Sequence, residues 1–379
     1  MKIVIAPDSF KGSLSAAAAA EAIAQGISRC VPDADIVKLP IADGGEGTLD
    51  SLLAAASGER ITVNVTGPLG TSVSASYGII GQTAVVEMAE ASGLCLLTEE
   101  QRNPALTTTY GTGELIRHAL DHGCRRFLLT VGGSSTNDGG TGMLQALGMR
   151  LLDQQGNSVP PGGRALADIA TIDDSLWHPR IADSSFVIAT DVQNPLIGEQ
   201  GASRVFGPQK GASHEMVDQL EQGMTVWADL IEAKTGIRLH EYPGAGAAGG
   251  LCGAYLAFFP ASIRRGIDVV LEHVHLEEHI DGADLVITGE GRIDHQTASG
   301  KAPMGVAQLA KKHGISAIAL AGSVGSGIDV LHAEGISSVH SIMNTPMTLQ
   351  EAMEHAPILL EQTAEQVFRT FLAGRVSKR

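Results

Sequence analysis

The stretch that most restricts the fold of this chain runs from Phe127 to Gly142 and reads FLLTVGGSSTNDGGTG. Phe127–Val131 is a continuous apolar run, the pattern of a strand covered on both faces of a parallel sheet. Gly132 and Gly133 end it, and Ser134, Ser135, Thr136, Asn137 and Asp138 follow. After Gly139, Gly140 and Gly142, a helical period begins at Met143, Leu144 and Leu147. Strand, glycine-rich loop, helix is how α/β proteins present backbone N–H groups to an anion. A tight turn in a core needs the glycines but not five consecutive hydrogen-bonding side chains. The loop is therefore read as an anion site at the C-terminal end of a strand.

The same alternation occupies both ends of the chain. Residues 2–6 read as a strand, and Ser13 or Ser15 caps an alanine-rich helix with Ile23 and Ile27 on its apolar face. A second strand, Asp35–Leu39, leads into a loop and a helical face of Leu49, Leu52 and Leu53. Near the other end come a strand at 284–288, a helix near 303–313, strands at 316–321 and 336–342, and a final helix from 348. That helix has a Thr348/Glu351 capping box and an apolar face of Leu349, Met353, Leu360, Val367 and Phe371.

The middle differs. Ile61–Val65, Val73–Ile80 and Ala84–Met88 read as an antiparallel meander turned at Gly67-Pro68-Leu69-Gly70. Phe186–Thr190 is another buried strand, and the helix from Ser213 carries a core stripe of Met216, Leu220, Met224, Trp227 and Ile231. Residues 149–185 show little periodicity and receive no element. Two βα ends around a different middle predict one domain inserted in another, with 1–60 and 271–379 forming the discontinuous domain and 61–270 the insert.

A length of 379 residues agrees with two domains. The net charge of −16 argues against a nucleic-acid partner, because basic residues must outnumber acids where a phosphate backbone is tracked. Cys30, Cys95, Cys124 and Cys252 have no zinc or redox spacing. The opening MKIVIAPDSF stops at Pro7 and Asp8, short of a signal-peptide core. Tyr242–Ile263 carries no charge, but its glycines leave only a short continuous helix, so no membrane partner is expected. These points predict a reduced, cytoplasmic protein.

Several loops combine carboxylates, cations and small donors. Asp43-Gly44-Gly45-Glu46-Gly47 and Asp138-Gly139-Gly140-Thr141-Gly142 share the form DGGxG, each between a strand and a helix. Asp8, Ser9 and Lys11 follow the first strand, Asp191 ends another, and Lys210 sits between glycines. Thr288–Asp294, with Glu290, Arg292 and Asp294, follows the strand ending at Ile287. Phosphoryl transfer needs this set: cations to spread the phosphoryl charge, backbone donors for phosphate oxygens, and a carboxylate for the nucleophile's proton. Gly244–Gly249 formally matches GxGxxG, with Asp268 at about the ribose spacing, so a nicotinamide-dependent oxidoreductase stands as a rival. No GxxxxGK[ST] is present. His273, His275 and His279 read as a surface helix rather than a metal site.

The blocks APDSFKGSLSA (6–16), ADGGEGT (42–48), TGPLG (66–70), YGTGELI (110–116), VGGSSTNDGGTG (131–142), ATDVQNPLIG (189–198), GASRVFGPQKGA (201–212), PGAGAAGG (243–250) and ITGEGRID (287–294) resemble the type-I bacterial glycerate kinase family, nearly end to end and in order. The resemblance implies an ATP- and Mg²⁺-dependent kinase that converts D-glycerate to 2-phosphoglycerate. It also implies a Rossmann/flavodoxin-like parallel-sheet domain interrupted by an inserted mixed α/β domain, with the site in the interdomain cleft. A homodimer is left open.

The roles expected within that frame rest on chemistry. Asp191 is the base, with Lys11 and Asp43 also catalytic. Gly132, Gly133, Ser134, Ser135, Thr136, Asn137, Asp138 and Lys210 hold the nucleotide phosphates. Asp8, Ser9, Glu290 and Arg292 bind substrate, and Asp138 and Asp294 touch the metal. A kinase of another small hydroxy acid, or one giving a 3-phospho product, remains an alternative.

Overall fold

The computed structural model describes residues 1–45, 47–56 and 58–376. Its strands are β1 (Lys2–Pro7), β2 (Asp35–Lys38), β3 (Glu59–Thr66), β4 (Ser72–Ile80), β5 (Thr83–Glu87), β6 (Arg126–Thr130), β7 (Arg150–Leu152), β8 (Thr171–Asp173), β9 (Ser185–Ala189), β10 (Ala261–Arg264), β11 (Leu285–Ile293), β12 (Ala317–Val324) and β13 (Ile336–Ser341). The chain divides into two compact units, one of Met1–Asp43, Asp50–Ser57 and Ile267–Arg379, the other of Gly44–Leu49 and Gly58–Gly266.

The first unit is built on a five-stranded sheet in the order β13-β12-β11-β1-β2, every pairing parallel. Ile3, Val4, Ile5 and Ala6 are all buried, as are Leu285, Val286 and Ile287, because helices cover both faces. Ser15 caps the Ala16–Ser28 helix by accepting from the Ala18 N–H at 3.2 Å. That helix packs on Ala356–Val376, where Gly26 faces the Glu361 backbone so closely that a Cβ would fall on its carbonyl. Counted within this unit, the strand order is 2-1-3-4-5, the flavodoxin-like order. The chain departs to one side from β1 and to the other from β11, so the switch point lies between these two strands.

The second unit has a mixed sheet, β10-β9-β6-β5-β4-β3. β5, β6, β9 and β10 run parallel, while β3, β4 and β5 form the antiparallel meander, with Val63 opposite Ala75. Its core stacks Phe127 on Phe186 at 4.7 Å and sets Phe259 edge-on to Phe186 at 4.9 Å. Ser213 caps the long His214–Thr235 helix, which buries Leu220, Met224, Trp227 and Ile231, with Met216 half-buried beside the buried Val217.

Three sequence expectations are corrected. Thr288–Asp294 is not a loop: β11 continues to Ile293, and Gly289, with Gly322 of β12 set against the Gly291 carbonyl, lets the two strands approach closely. The final helix is two, Leu349–Glu354 and Ala356–Val376, and Leu349 is 75% exposed rather than in the core. The unassigned 149–185 region holds the short antiparallel pair β7–β8 and two short 3₁₀ helices, too brief to leave a period in the sequence. Among the described residues no helix is long and apolar enough to cross a membrane.

Candidate active site

In the first unit a cavity of about 610 Å³ opens at the C-terminal ends of β1, β11, β12 and β13. Open α/β sheets bind ligands in the crevice at such a switch point. Asp8, Ser9, Lys11, Asp43, Glu290 and Arg292, six of the residues singled out in the sequence, all line it. Sequence reasoning missed Lys301, Ser323 and a wall of Ile342, Met343, Met347, Leu349 and Met353. Lys301 had a legible signal: Gly300 before it and Pro303 after it mark the N-cap of the Ala302–Lys312 helix, so it stands on a loop facing the strand ends. The wall had none, because methionine and leucine at helical spacing read as core.

The charged end is densely coupled. The Ser9 N–H donates to Asp8 Oδ1 at 2.6 Å. Burial, then the nearby Asp43 and Glu290 carboxylates, push the Asp8 carboxyl up to about 7, against the pull of the Ser9 amide and Lys11. Glu290 takes a hydrogen bond from Thr297 Oγ1 at 2.8 Å and an ion pair from Lys301 Nζ at 3.4 Å. Burial nonetheless raises its carboxyl above the ordinary range, with Lys301 opposing. Arg292 is largely exposed and pairs through Nε with Asp294 Oδ2 at 3.0 Å. Asp294 caps the turn after β11 by accepting from the Gln296 N–H at 2.9 Å, and this bond, with the arginine, holds its carboxyl below the usual range.

The glycine-rich loop after β6 behaves differently. Ser134, Ser135, Thr136, Asn137 and Asp138 are all buried, while Gly132 and Gly133 lie at its more open start. Ser135 Oγ donates to the Ser92 carbonyl at 2.9 Å, Asn137 Nδ2 donates to Ser203 Oγ at 3.0 Å, and Thr107 Oγ1 donates to the Ser135 carbonyl at 2.8 Å. Asp138 accepts from the Thr109 N–H and Oγ1, both at 2.8 Å, from the Gly140 N–H at 3.1 Å and from the Gly142 N–H at 3.3 Å. The helix N-terminus therefore already holds an anion, and it belongs to the protein. The side chains expected to hold phosphates and, at Asp138, a metal are thus engaged with the protein itself. With no exposed surface, Asp138 is a structural pin whose carboxyl burial pushes upward.

The other DGGxG loop uses the same device. Glu87, also buried, accepts from the Gly47 N–H at 2.8 Å and the Leu49 N–H at 3.0 Å, at the start of the Thr48–Ala55 helix. Glu46 of that motif lies outside the described residues.

Lys210 is likewise internal, 1% exposed, and its Nζ donates to the Thr136 carbonyl at 2.6 Å. Burial pulls its amine down to about 7, with the Asp138 carboxylate pulling the other way. It fastens the loop from inside, where it was expected to meet a phosphate. Asp191, just after β9, is exposed, with Arg265 Nε 3.9 Å from Oδ1. It belongs to the second unit.

The GxGxxG match follows no strand, and its glycines serve packing. A Cβ on Gly246 would overlap the Pro195 carbonyl and one on Gly249 the Thr136 carbonyl, while the Gly139 N–H donates to the Gly249 carbonyl at 2.9 Å. Nothing there is left to face a pyrophosphate, and the oxidoreductase reading loses its support. Among the described residues no three His, Cys, Asp or Glu side chains are grouped to hold a metal ion, His273, His275 and His279 included. A protein-only metal cage is therefore absent among them. Magnesium in phosphoryl transfer, however, needs only one or two carboxylates beside the phosphates it bridges, and Asp43 and Glu290 fit that lesser demand.

Residues 3–372 match the model of the glycerate kinase family. The chain is 51% identical to a glycerate kinase of Bacillus subtilis across 97% of each chain, and 49% identical to the glycerate 2-kinase of Escherichia coli across 99% of each. It superposes on a crystal structure from Salmonella typhimurium, provisionally named glycerate kinase 2, with a TM-score of 0.88, 49% identity and 99% coverage of both chains. The parallel sheet with its switch-point cavity, the blocks lining it and this full-length similarity agree, and the chain belongs to the glycerate kinase family.

Proposed function

We propose that this chain transfers the γ-phosphoryl group of ATP to the C2 hydroxyl of D-glycerate, giving 2-phosphoglycerate and ADP. The observation that carries the reading is the gathering of Asp8, Asp43, Glu290, Lys11, Arg292 and Lys301 in one switch-point cavity of a glycerate kinase family member. The near-half identity to a glycerate 2-kinase supports the 2-phospho product.

Asp8 is the general base. It is buried, and its carboxyl near neutrality matches the pKa at which proton transfer is most effective. It takes the proton as the glycerate oxygen bonds to Pγ and the bond from Pγ to the β,γ-bridging oxygen breaks. Lys11 and Lys301 neutralise the transferring oxygens, and Arg292, at the exposed mouth, offers a fork for a carboxylate or phosphate. Asp43 and Glu290 would hold Mg²⁺, which lowers the charge on the phosphoryl oxygens when it arrives with ATP. Asp138, Lys210 and the buried Ser134–Asn137 side chains position the second unit's loop. The four cysteines are all thiols, which suits a cytoplasmic enzyme.

The test is incubation with ATP, Mg²⁺ and D-glycerate followed by ³¹P NMR. ADP and 2-phosphoglycerate are expected in equal amounts. Absence of ADP would end the kinase reading, and a 3-phospho product would end the assignment of the acceptor oxygen.

A further inference from the structure

The cavity is not uniformly polar. Besides Asp8 and Lys11, it is lined by an apolar group, Ile342, Met343, Met347, Leu349 and Met353, which forms a wall of it. Two of these are unusually open for their type, Leu349 at 75% and Met343 at 41% exposed, beside the buried Ile342 and the half-buried Met347 and Met353. A folded chain gains nothing by leaving such side chains in water beside a charged cleft. We infer that this wall seats the adenine base of ATP, with the triphosphate directed along Lys11, Arg292 and Lys301 toward Asp8. The inference rests on the kinase reading above and adds to it which substrate the cavity takes.

Three observations carry it. The cavity, about 610 Å³, falls in the size range of sites for cofactor-sized ligands, whereas a three-carbon acid fills only a corner. Every carbon of glycerate bears oxygen, so glycerate has no face for a methionine wall. Of the two substrates only ATP combines a flat apolar ring with a chain of negative charge, and the cavity offers both methionines and cations. Methionine suits the ring, because its polarisable sulfur adapts to an aromatic edge.

The wall is also tied to the cationic end. Ser13 Oγ donates to the Met353 carbonyl at 2.7 Å, and Gly12, at φ +77°, brings the backbone so close that a Cβ would sit 2.9 Å from Met353 Cε. The loop bearing Lys11 and the helix bearing Leu349 and Met353 are thus fastened together, so a base on one and phosphates on the other are held in a fixed relation.

Leu349→Glu and Met343→Asp test the assignment, since both positions are exposed enough to leave folding intact, as thermal melts will verify. Placing a carboxylate on the wall is expected to raise the KM for ATP about tenfold or more, from lost ring contacts and charge repulsion. The KM for D-glycerate and kcat at saturating ATP should stay within about twofold. The Kd of mant-ATP, measured without glycerate, should rise by the same factor as the KM for ATP. If the wild-type enzyme phosphorylates glycerate while neither variant changes the KM for ATP or the Kd of mant-ATP, the adenine assignment is wrong and the kinase reading stands. A rise confined to the KM for glycerate would give the wall to the acid and overturn the inference in the same way. A wild-type enzyme that makes no ADP would remove both.

Discussion

Replacing Asp8 by asparagine should make the protein more stable and the enzyme nearly inactive, and the stability gain should depend on pH. Asp8 is 7% exposed, and its carboxyl is raised from 3.8 to about 7 by burial and by Asp43 and Glu290. A folded-state pKa above the unfolded value means that the folded protein holds this proton more tightly. The associated stability is fully present below about pH 4 and is lost as pH rises through about 7. At about 1.4 kcal/mol per unit of displacement, ionised Asp8 costs the fold on the order of 4 kcal/mol at pH 8. Roughly 2–3 kcal/mol of that cost appears between pH 5 and pH 8.

The substituted amide cannot ionise, and its oxygen can still accept from the Ser9 N–H. The melting temperature of Asp8→Asn should therefore exceed wild type by a margin that widens from pH 5 to pH 8 by about 4–12 °C, at roughly 2–4 °C per kcal/mol. In the same protein kcat should fall about 10²- to 10⁴-fold, the usual worth of a general base. The exposed Asp191, changed to asparagine, is the control and should lose less than about tenfold. A melting difference that does not move with pH would refute the burial argument, and a retained kcat would refute the role as base.

Two further outcomes follow from the second unit. The Lys210 amine is depressed to about 7, below its unfolded value of 10.5, so stability should rise from pH 7 toward pH 10 in the wild type. Lys210→Met should flatten that rise while leaving the KM for ATP within about twofold, whereas a tenfold KM increase would return this lysine to phosphate binding. Gly249→Ala places a side chain at φ +65° and over the Thr136 carbonyl. It should cost about 2–5 kcal/mol, read as a lower melting temperature or lost soluble yield, and an unchanged melt would show that the 136–139 packing yields easily.

Much of the architecture was legible because parallel strands leave a strong trace. Ile3–Ala6 and Phe127–Leu129 are buried on both faces, so each is an unbroken apolar run ending where the sheet ends. The capping residues Ser15, Ser213 and Thr348 were legible for a local reason, since a hydroxyl before a helical period has one favoured partner. β11 misled because Gly289 and Gly291 look like a loop in sequence, yet Gly289, like Gly322 on the facing strand, is a means for β11 and β12 to lie close.

Site residues divided along a similar line. Those after β1 and at the C-terminal end of β11 were found because strand ends collect function. The row from Ser134 to Asp138 was harder, because a sequence lists donors without saying which way they face. Five polar side chains in succession suit a ligand and a buried network equally well, and here the ties to Ser92, Thr109, Ser203 and Lys210 decide for the network. None of those partners is near the loop in sequence.

The pairing of β1 with β11 also sets a timetable for synthesis. Thr288 Oγ1 donates to the Ala6 carbonyl across a separation of 282 residues. A ribosome adding about 5–20 residues per second leaves the first strand waiting roughly 14–56 s for that neighbour. During the interval Ile3 and Ile5 lack the sheet that buries them, while Gly58–Gly266 emerges complete and free to fold. Asp8, Lys11 and Asp43 are translated early, Glu290 and Lys301 only near the end. The nascent chain thus carries part of its cavity on a strand paired with β2 alone for most of its synthesis, and this is when a chaperone would have most to hold.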